Sequence, residues 1–176
     1  MLQIRQGVFE TNSSSTHAIS IAKWDDTMRV PDSIHFCLNK EFGWEFEKYN
    51  DVMSKASYLW IAACSIYGNI SNEDNLIEIK EKIFNILFDA GVKNITFDSG
   101  DYIEYDWNNE GALLSFNGYI DHVYSLNNWV DELIDDPNLL LAYLFNPDSQ
   151  VYTGNDNDDR TPEYNGNAIY TRYKSN

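Results

Sequence analysis

The segment Val52 to Tyr67, VMSKASYLWIAACSIY, constrains the fold more than any other part of the chain. Wound at 3.6 residues per turn, it places apolar side chains on nearly every side instead of along one stripe. A helix that is apolar all round has to be covered all round, so this one is expected at the centre of the fold. Its longest apolar run, Tyr58 to Tyr67, is far shorter than the ~20 residues a bilayer-spanning helix needs. Gly68 then closes it.

The flanking sequence supplies what would cover such a helix. A second helix is expected after Ser71 or Asn72, either of which can cap it, with Glu73 and Asp74 in the first turn where the helix dipole favours them. Leu76, Ile79, Ile83, Ile86, Leu87 and Ala90 form its apolar stripe and Gly91 its stop. Ser125 or Asn127 can cap a short helix running through Trp129 and Leu133. Asp136-Pro137 is a carboxylate cap followed by proline at the first helical position, which starts a helix ending at Asn146-Pro147. Strands are expected over Leu2 to Glu10, His17 to Ala22, Ile34 to Leu38, Asn94 to Phe97, Tyr102 to Trp107, Ala112 to Phe116, Gln150 to Thr153 and Ala168 to Tyr173. Thr11 to Thr16 reads as a polar loop, Phe42 to Phe46 as an aromatic loop or strand end, and Gly154 to Gly166 as a turn-rich connection. The expected architecture is α+β, a single domain over residues 1–176, with about four helices packed on a mostly antiparallel sheet.

Composition excludes several classes. Aromatic residues make up 15% of the chain, too many for a disordered segment. The opening residues carry no long apolar run, so neither a signal peptide nor a membrane anchor is expected. Two cysteines, Cys37 and Cys64, are too few for a disulfide framework, and a cytoplasmic setting is the natural expectation.

Charge is the most informative global property. The formal net charge is −16, and residues 94–159 contain 14 Asp and Glu without one Lys or Arg. One reading is a solvated acidic face that maintains solubility. The sharper reading is a negative surface that enters the basic groove of a partner protein, with Asp101, Glu104, Asp106, Asp131, Glu132, Asp135 and Asp136 as the contacting acids. Direct contact with nucleic acid is disfavoured on the same grounds, and no basic stripe with interleaved aromatics is present.

Few constellations carry chemistry. Ser13, Ser14, Ser15, Thr16 and His17 are the densest polar cluster, able to offer donors to a phosphate with His17 as acid, base or ligand; the alternative is a turn whose hydroxyls satisfy their own backbone. His17-x-x-Ser20 and His122-x-x-Ser125 would need His and hydroxyl on one strand face for a paired phosphoesterase site, and this spacing puts them on opposite faces. Asn155, Asp156 and Asn157 invite a calcium loop, but the positions that need glycine and glutamate hold Thr161 and Asn167. A tight surface turn is the plainer reading, with a non-EF-hand cation site as the alternative. His35 and Cys37 lie two apart on one strand face, yet no C-x-x-C pair accompanies them and Cys64 is remote, so a structural zinc site has little support. No P-loop, dinucleotide glycine fingerprint or nucleophile elbow is present, no organic cofactor is implied, and a divalent cation is the one inorganic ligand kept in view.

The stretch Arg5-Gln6-Gly7-Val8-Phe9-Glu10-Thr11-Asn12-Ser13-Ser14-Ser15-Thr16-His17 resembles the opening of a group of small proteins encoded by tailed bacteriophages. Gly118-Tyr119-Ile120-Asp121-His122 and Tyr152-Thr153-Gly154-Asn155-Asp156-Asn157 are similar to stretches of the same group. The resemblance implies a bacterial host cell and implies that the SSSTH, Asp121-His122 and Asn155-Asp156-Asn157 pieces belong to one shared feature. It brings no activity with it. The expectation is a non-enzymatic accessory protein that inhibits a host protein, such as a defence nuclease or transcription component, through its acidic surface. The alternative is a small enzyme or ligand-binding protein whose Ser/Thr/His pocket takes a phosphorylated small molecule or a metal, with His17 and His122 as the acting residues.

Overall fold

The apolar segment forms one helix and is enclosed, as a helix without a polar face requires. A computed structural model of the chain describes residues 15–43, 46–69, 73–104, 112–121, 123, 128–155 and 168–174. Its elements are β1 (Ser15–Ala22), β2 (Ser33–Phe36), β3 (Glu41–Phe42), β4 (Glu47–Tyr49), α1 (Val52–Tyr67), α2 (Glu73–Asp89), β5 (Asn94–Phe97), β6 (Asp101–Glu104) and β7 (Ala112–Ser115). Then follow β8 (Tyr119–Ile120), α3 (Trp129–Asp135), α4 (Pro137–Phe145), β9 (Gln150–Asn155) and β10 (Ala168–Lys174). The fold is α+β, and among the described residues no helix is long and apolar enough to cross a membrane.

Asp51 caps α1 by accepting a hydrogen bond from the Ser54 amide at 2.8 Å. Every residue from Ser54 to Cys64 is buried, against the other three helices and strands β2 and β8. Lys55 is inside this run. Its Nζ donates to the carbonyl oxygens of Asn146 at 2.9 Å and Ser149 at 3.1 Å, at and just beyond the C-terminal end of α4. The ammonium thus meets the negative end of a helix dipole, which offsets part of its desolvation.

The largest sheet has the order β10-β1-β9-β4, and all three pairings are antiparallel. Strand β1 is interior, paired on both edges and buried from His17 to Ala22. Among the described residues there are also three two-stranded ribbons: β2–β5 and β3–β8 parallel, β6–β7 antiparallel.

Several local expectations shift. The polar loop does not extend to Thr16, because Ser15 and Thr16 already pair with Asn155 and Gly154 of β9. For the same reason β9 runs on to Asn155 instead of stopping at Thr153. Helix α3 starts after Asn128, a left-handed residue with φ 67° and no side-chain capping bond; Ser125 and Asn127 lie outside the described residues. Strands β3, β4 and β8 have no sequence signature, since two or three residues cannot display a period of two. The first expected strand, Leu2 to Glu10, and the caps Ser71 and Asn72 also lie outside the described residues. Gly91, at φ 101°, ends α2 in the backbone region that favours glycine.

Candidate functional site

The β1–β9 ladder sets Ser15 opposite Asn155, Thr16 opposite Gly154 and His17 opposite Thr153. Two of the three polar pieces are therefore strand neighbours. His17 itself faces the interior at 0% exposure, its Nδ1 3.2 Å from the Tyr58 hydroxyl. Tyr58 stands edge-on to Phe42 of β3, with ring centroids 5.0 Å apart, and the Phe42 carbonyl accepts a hydrogen bond from the Asp121 amide at 3.0 Å. Asp121 is buried, and its Oδ1 accepts from the Tyr119 hydroxyl at 2.6 Å. His17 thus meets the Tyr58 side chain from β1, while Asp121, one residue past β8, is tied by its backbone to Phe42, whose ring packs on Tyr58. Ser13, Ser14, His122, Asp156 and Asn157 lie outside the described residues, and Ser15 and Asn155 are described by backbone alone.

The acidic residues of α3 form a second feature. Asp131 Oδ2 accepts from the Tyr67 hydroxyl at 2.6 Å, and Glu132 Oε2 from the Tyr170 hydroxyl at 2.7 Å. Burial, then the hydrogen bond to Asp131 and its charge, push the Tyr67 phenol well above its ordinary range. Lys82 bridges Asp135 at 3.2 Å and Glu78 at 3.1 Å. Asp136 caps α4, its Oδ1 accepting from the amides of Asn138 and Leu139 at 3.0 and 3.2 Å. Asp101 is exposed on β6, Glu104 ends that strand, and Asp106 lies outside the described residues.

Beside α3, helix α2 turns apolar side chains outward. Ile77, Phe84 and Phe88 are 48%, 42% and 61% exposed, and the Phe84 and Phe88 rings stack at 6.1 Å and 8°. A groove of about 700 Å³ runs between α2 and β5, lined by Ile77, Glu81, Phe84, Ile95, Thr96 and Phe97 among others. Reading only the buried stripe of α2 overlooks this outer strip. Its signal was present in the sequence, because Ile77, Phe84 and Phe88 fall off the stripe that Leu76, Ile83 and Leu87 define.

A third cluster joins β2 to β5. Their parallel register pairs His35 with Thr96 and Phe36 with Phe97, so the next residues, Cys37 and Asp98, continue the same rows. Ile34, Phe36 and Leu38 are buried, which leaves His35 and Cys37 on the outer face. His35 Nε2 lies 3.2 Å from Asp98 Oδ1, and its Nδ1 lies 2.8 Å from Thr96 Oγ1. The other carboxylate oxygen, Asp98 Oδ2, accepts from the Leu38 amide at 2.9 Å. His35, Cys37 and Asp98 each bring one ligand-type atom within 4.8 Å of the other two. Sequence spacing exposed the first two residues and missed Asp98, which sits 61 positions beyond Cys37 and arrives only through strand pairing.

No protein-family model, curated protein or solved structure matches the chain.

Proposed function

We propose that the chain is a non-enzymatic binding protein that occupies the basic groove of a partner protein with the surface formed by α2 and α3. The observation that carries this reading is an apolar strip set in a field of carboxylates. Ile77, Phe84 and Phe88 supply exposed apolar area, while α2, α3 and Asp136 together contain nine Asp and Glu against two Lys. Both lysines are engaged, Lys82 with Glu78 and Asp135, and Lys80 over the Phe97 ring at 5.4 Å. Aromatic anchors inside a charged rim are the usual anatomy of an interface, and the sign of the rim selects a cationic partner and speeds encounter with it. A surface of this charge repels nucleic acid and suits a protein that handles it. The resemblance to tailed-phage proteins supports a bacterial host protein, a defence nuclease or transcription component, as the partner class.

The test is capture of host proteins by tagged chain at low and high salt, repeated with Asp131, Glu132, Asp135 and Asp136 changed to Asn or Gln. One basic, nucleic-acid-handling partner, released by salt and lost with the neutralised variant, supports the reading. Capture that survives neutralisation, or no partner at either salt, defeats it.

A further inference from the structure

We propose that His35, Cys37 and Asp98 form a binding site for a thiophilic divalent cation, zinc by preference, on the outer face of the β2–β5 ribbon. This stands apart from the acidic-surface reading and rests on different residues.

The geometry is that of a prepared donor set. A tetrahedral zinc ion with bonds of about 2.0 to 2.3 Å to N, O and S holds its ligand atoms roughly 3.3 to 3.7 Å from one another. The 3.2 Å between His35 Nε2 and Asp98 Oδ1 is already close to that edge, and the Cys37 thiol, within 4.8 Å of both, closes the remainder by rotation about its side-chain torsion. Two of the donors are oriented by a second layer of contacts. Thr96 Oγ1 lies 2.8 Å from His35 Nδ1; a metal on Nε2 requires the tautomer protonated at Nδ1, and Thr96 is placed to accept that proton. The Leu38 amide at 2.9 Å holds Asp98 Oδ2 and turns Oδ1 toward the ring. Trp60 Nε1 fixes the same residue from behind by donating to the Asp98 carbonyl at 2.9 Å.

Ligand chemistry selects the ion. Thiolate and imidazole suit zinc and its neighbours, whereas magnesium and calcium demand oxygen throughout. The His35 and Asp98 side chains are 42% and 37% exposed, so a fourth position is open to water or to a ligand atom from a partner. Coordination replaces the Cys37 thiol proton, which leaves to solvent. Cys64 does not compete, because burial pushes its thiol far above the ordinary range and Lys80 offsets this only in part.

The probes are Co²⁺ and Zn²⁺ added to chelator-stripped protein. Cobalt is expected to show a thiolate-to-metal charge-transfer band and the intense visible bands of a four-coordinate ion, and zinc is expected to abolish both. His35→Ala, Cys37→Ala and Asp98→Asn are each expected to weaken zinc binding by about 100-fold or more, and Thr96→Val by about 10-fold. Cys64→Ala is expected to leave binding unchanged. A cobalt spectrum without a thiolate band overturns the site and needs no variant to fold. So does zinc affinity that survives Cys37→Ala, which would place the ion on surface carboxylates and leave His35 and Asp98 as a plain ion pair.

Discussion

The hydroxyl of Tyr58 lies 3.2 Å from Nδ1 of His17, and both side chains are fully enclosed. The most conspicuous histidine of the sequence is therefore a core residue that meets the central helix at the Tyr58 hydroxyl.

From this follows a prediction about what His17 does. His17→Ala is expected to lower stability by about 2 to 4 kcal/mol through the cavity it leaves, and Tyr58→Phe by about 1 kcal/mol through one lost hydrogen bond. Urea denaturation measures both. If His17→Ala abolished partner or ligand binding at unchanged stability, a functional role would replace the structural one.

Lys55 sets a pH dependence. Burial holds its amine at about 8, below the ordinary 10.5, and Asp51 opposes that only in part. Between those values the unfolded chain keeps a proton that the folded protein has released. Unfolding then takes up a proton, so stability rises with pH. The Lys55 contribution to this rise is roughly 2 kcal/mol between pH 8 and 10, and the buried Cys64 thiol, whose proton the unfolded chain loses first, opposes it over the same range. Above about pH 10 the Tyr58, Tyr67 and Tyr143 phenols add to this opposition, because each is raised in the fold and the unfolded chain loses those protons first. Urea denaturation across this range isolates Lys55 as the stability of the wild type minus that of Lys55→Met, which should grow by roughly 2 kcal/mol from pH 8 to 10; a constant difference would mean that Lys55 keeps its proton in the fold.

Asp136 separates capping from charge. Asp136→Ala is expected to cost about 1 kcal/mol, because two amides of α4 lose their acceptor, whereas Asp136→Asn keeps a capping oxygen and costs little. Thermal melts of the two variants decide this, and equal losses would mean that charge near the helix start matters more than the cap.

Ser20 is buried in β1, and its hydroxyl has no hydrogen-bond partner among the described residues. Ser20→Ala removes a desolvated polar group without opening a cavity, so stability is expected to rise by about 0.5 to 1 kcal/mol. A lower denaturation midpoint would reveal a partner for that hydroxyl.

On the outer face of α2, the double change Phe84→Ala, Phe88→Ala is expected to cost no more than about 2 kcal/mol of stability, since the rings are 42% and 61% exposed. Partner affinity should nevertheless fall at least about 10-fold, because such rings act as interface anchors. Titration of the captured partner reads the affinity, and an unchanged value would move the interface off α2.

What the sequence determined by itself is local. A Val52–Tyr67 that is apolar on nearly every side can only be a covered helix, Asp136-Pro137 can only start one, and the run of Asp and Glu without Lys or Arg makes one region negative in any fold. These follow from side-chain periodicity, from capping chemistry and from charge, all of which act over a few residues. The meeting of distant residues was decided by the tertiary structure. Strand pairing brings Asp98 to His35 and Cys37, sheet insertion takes His17 out of solvent, and the docking of α1 on the end of α4 finds partners for Lys55. None of these leaves a local trace, because the register between strands far apart in the chain depends on how the core is filled.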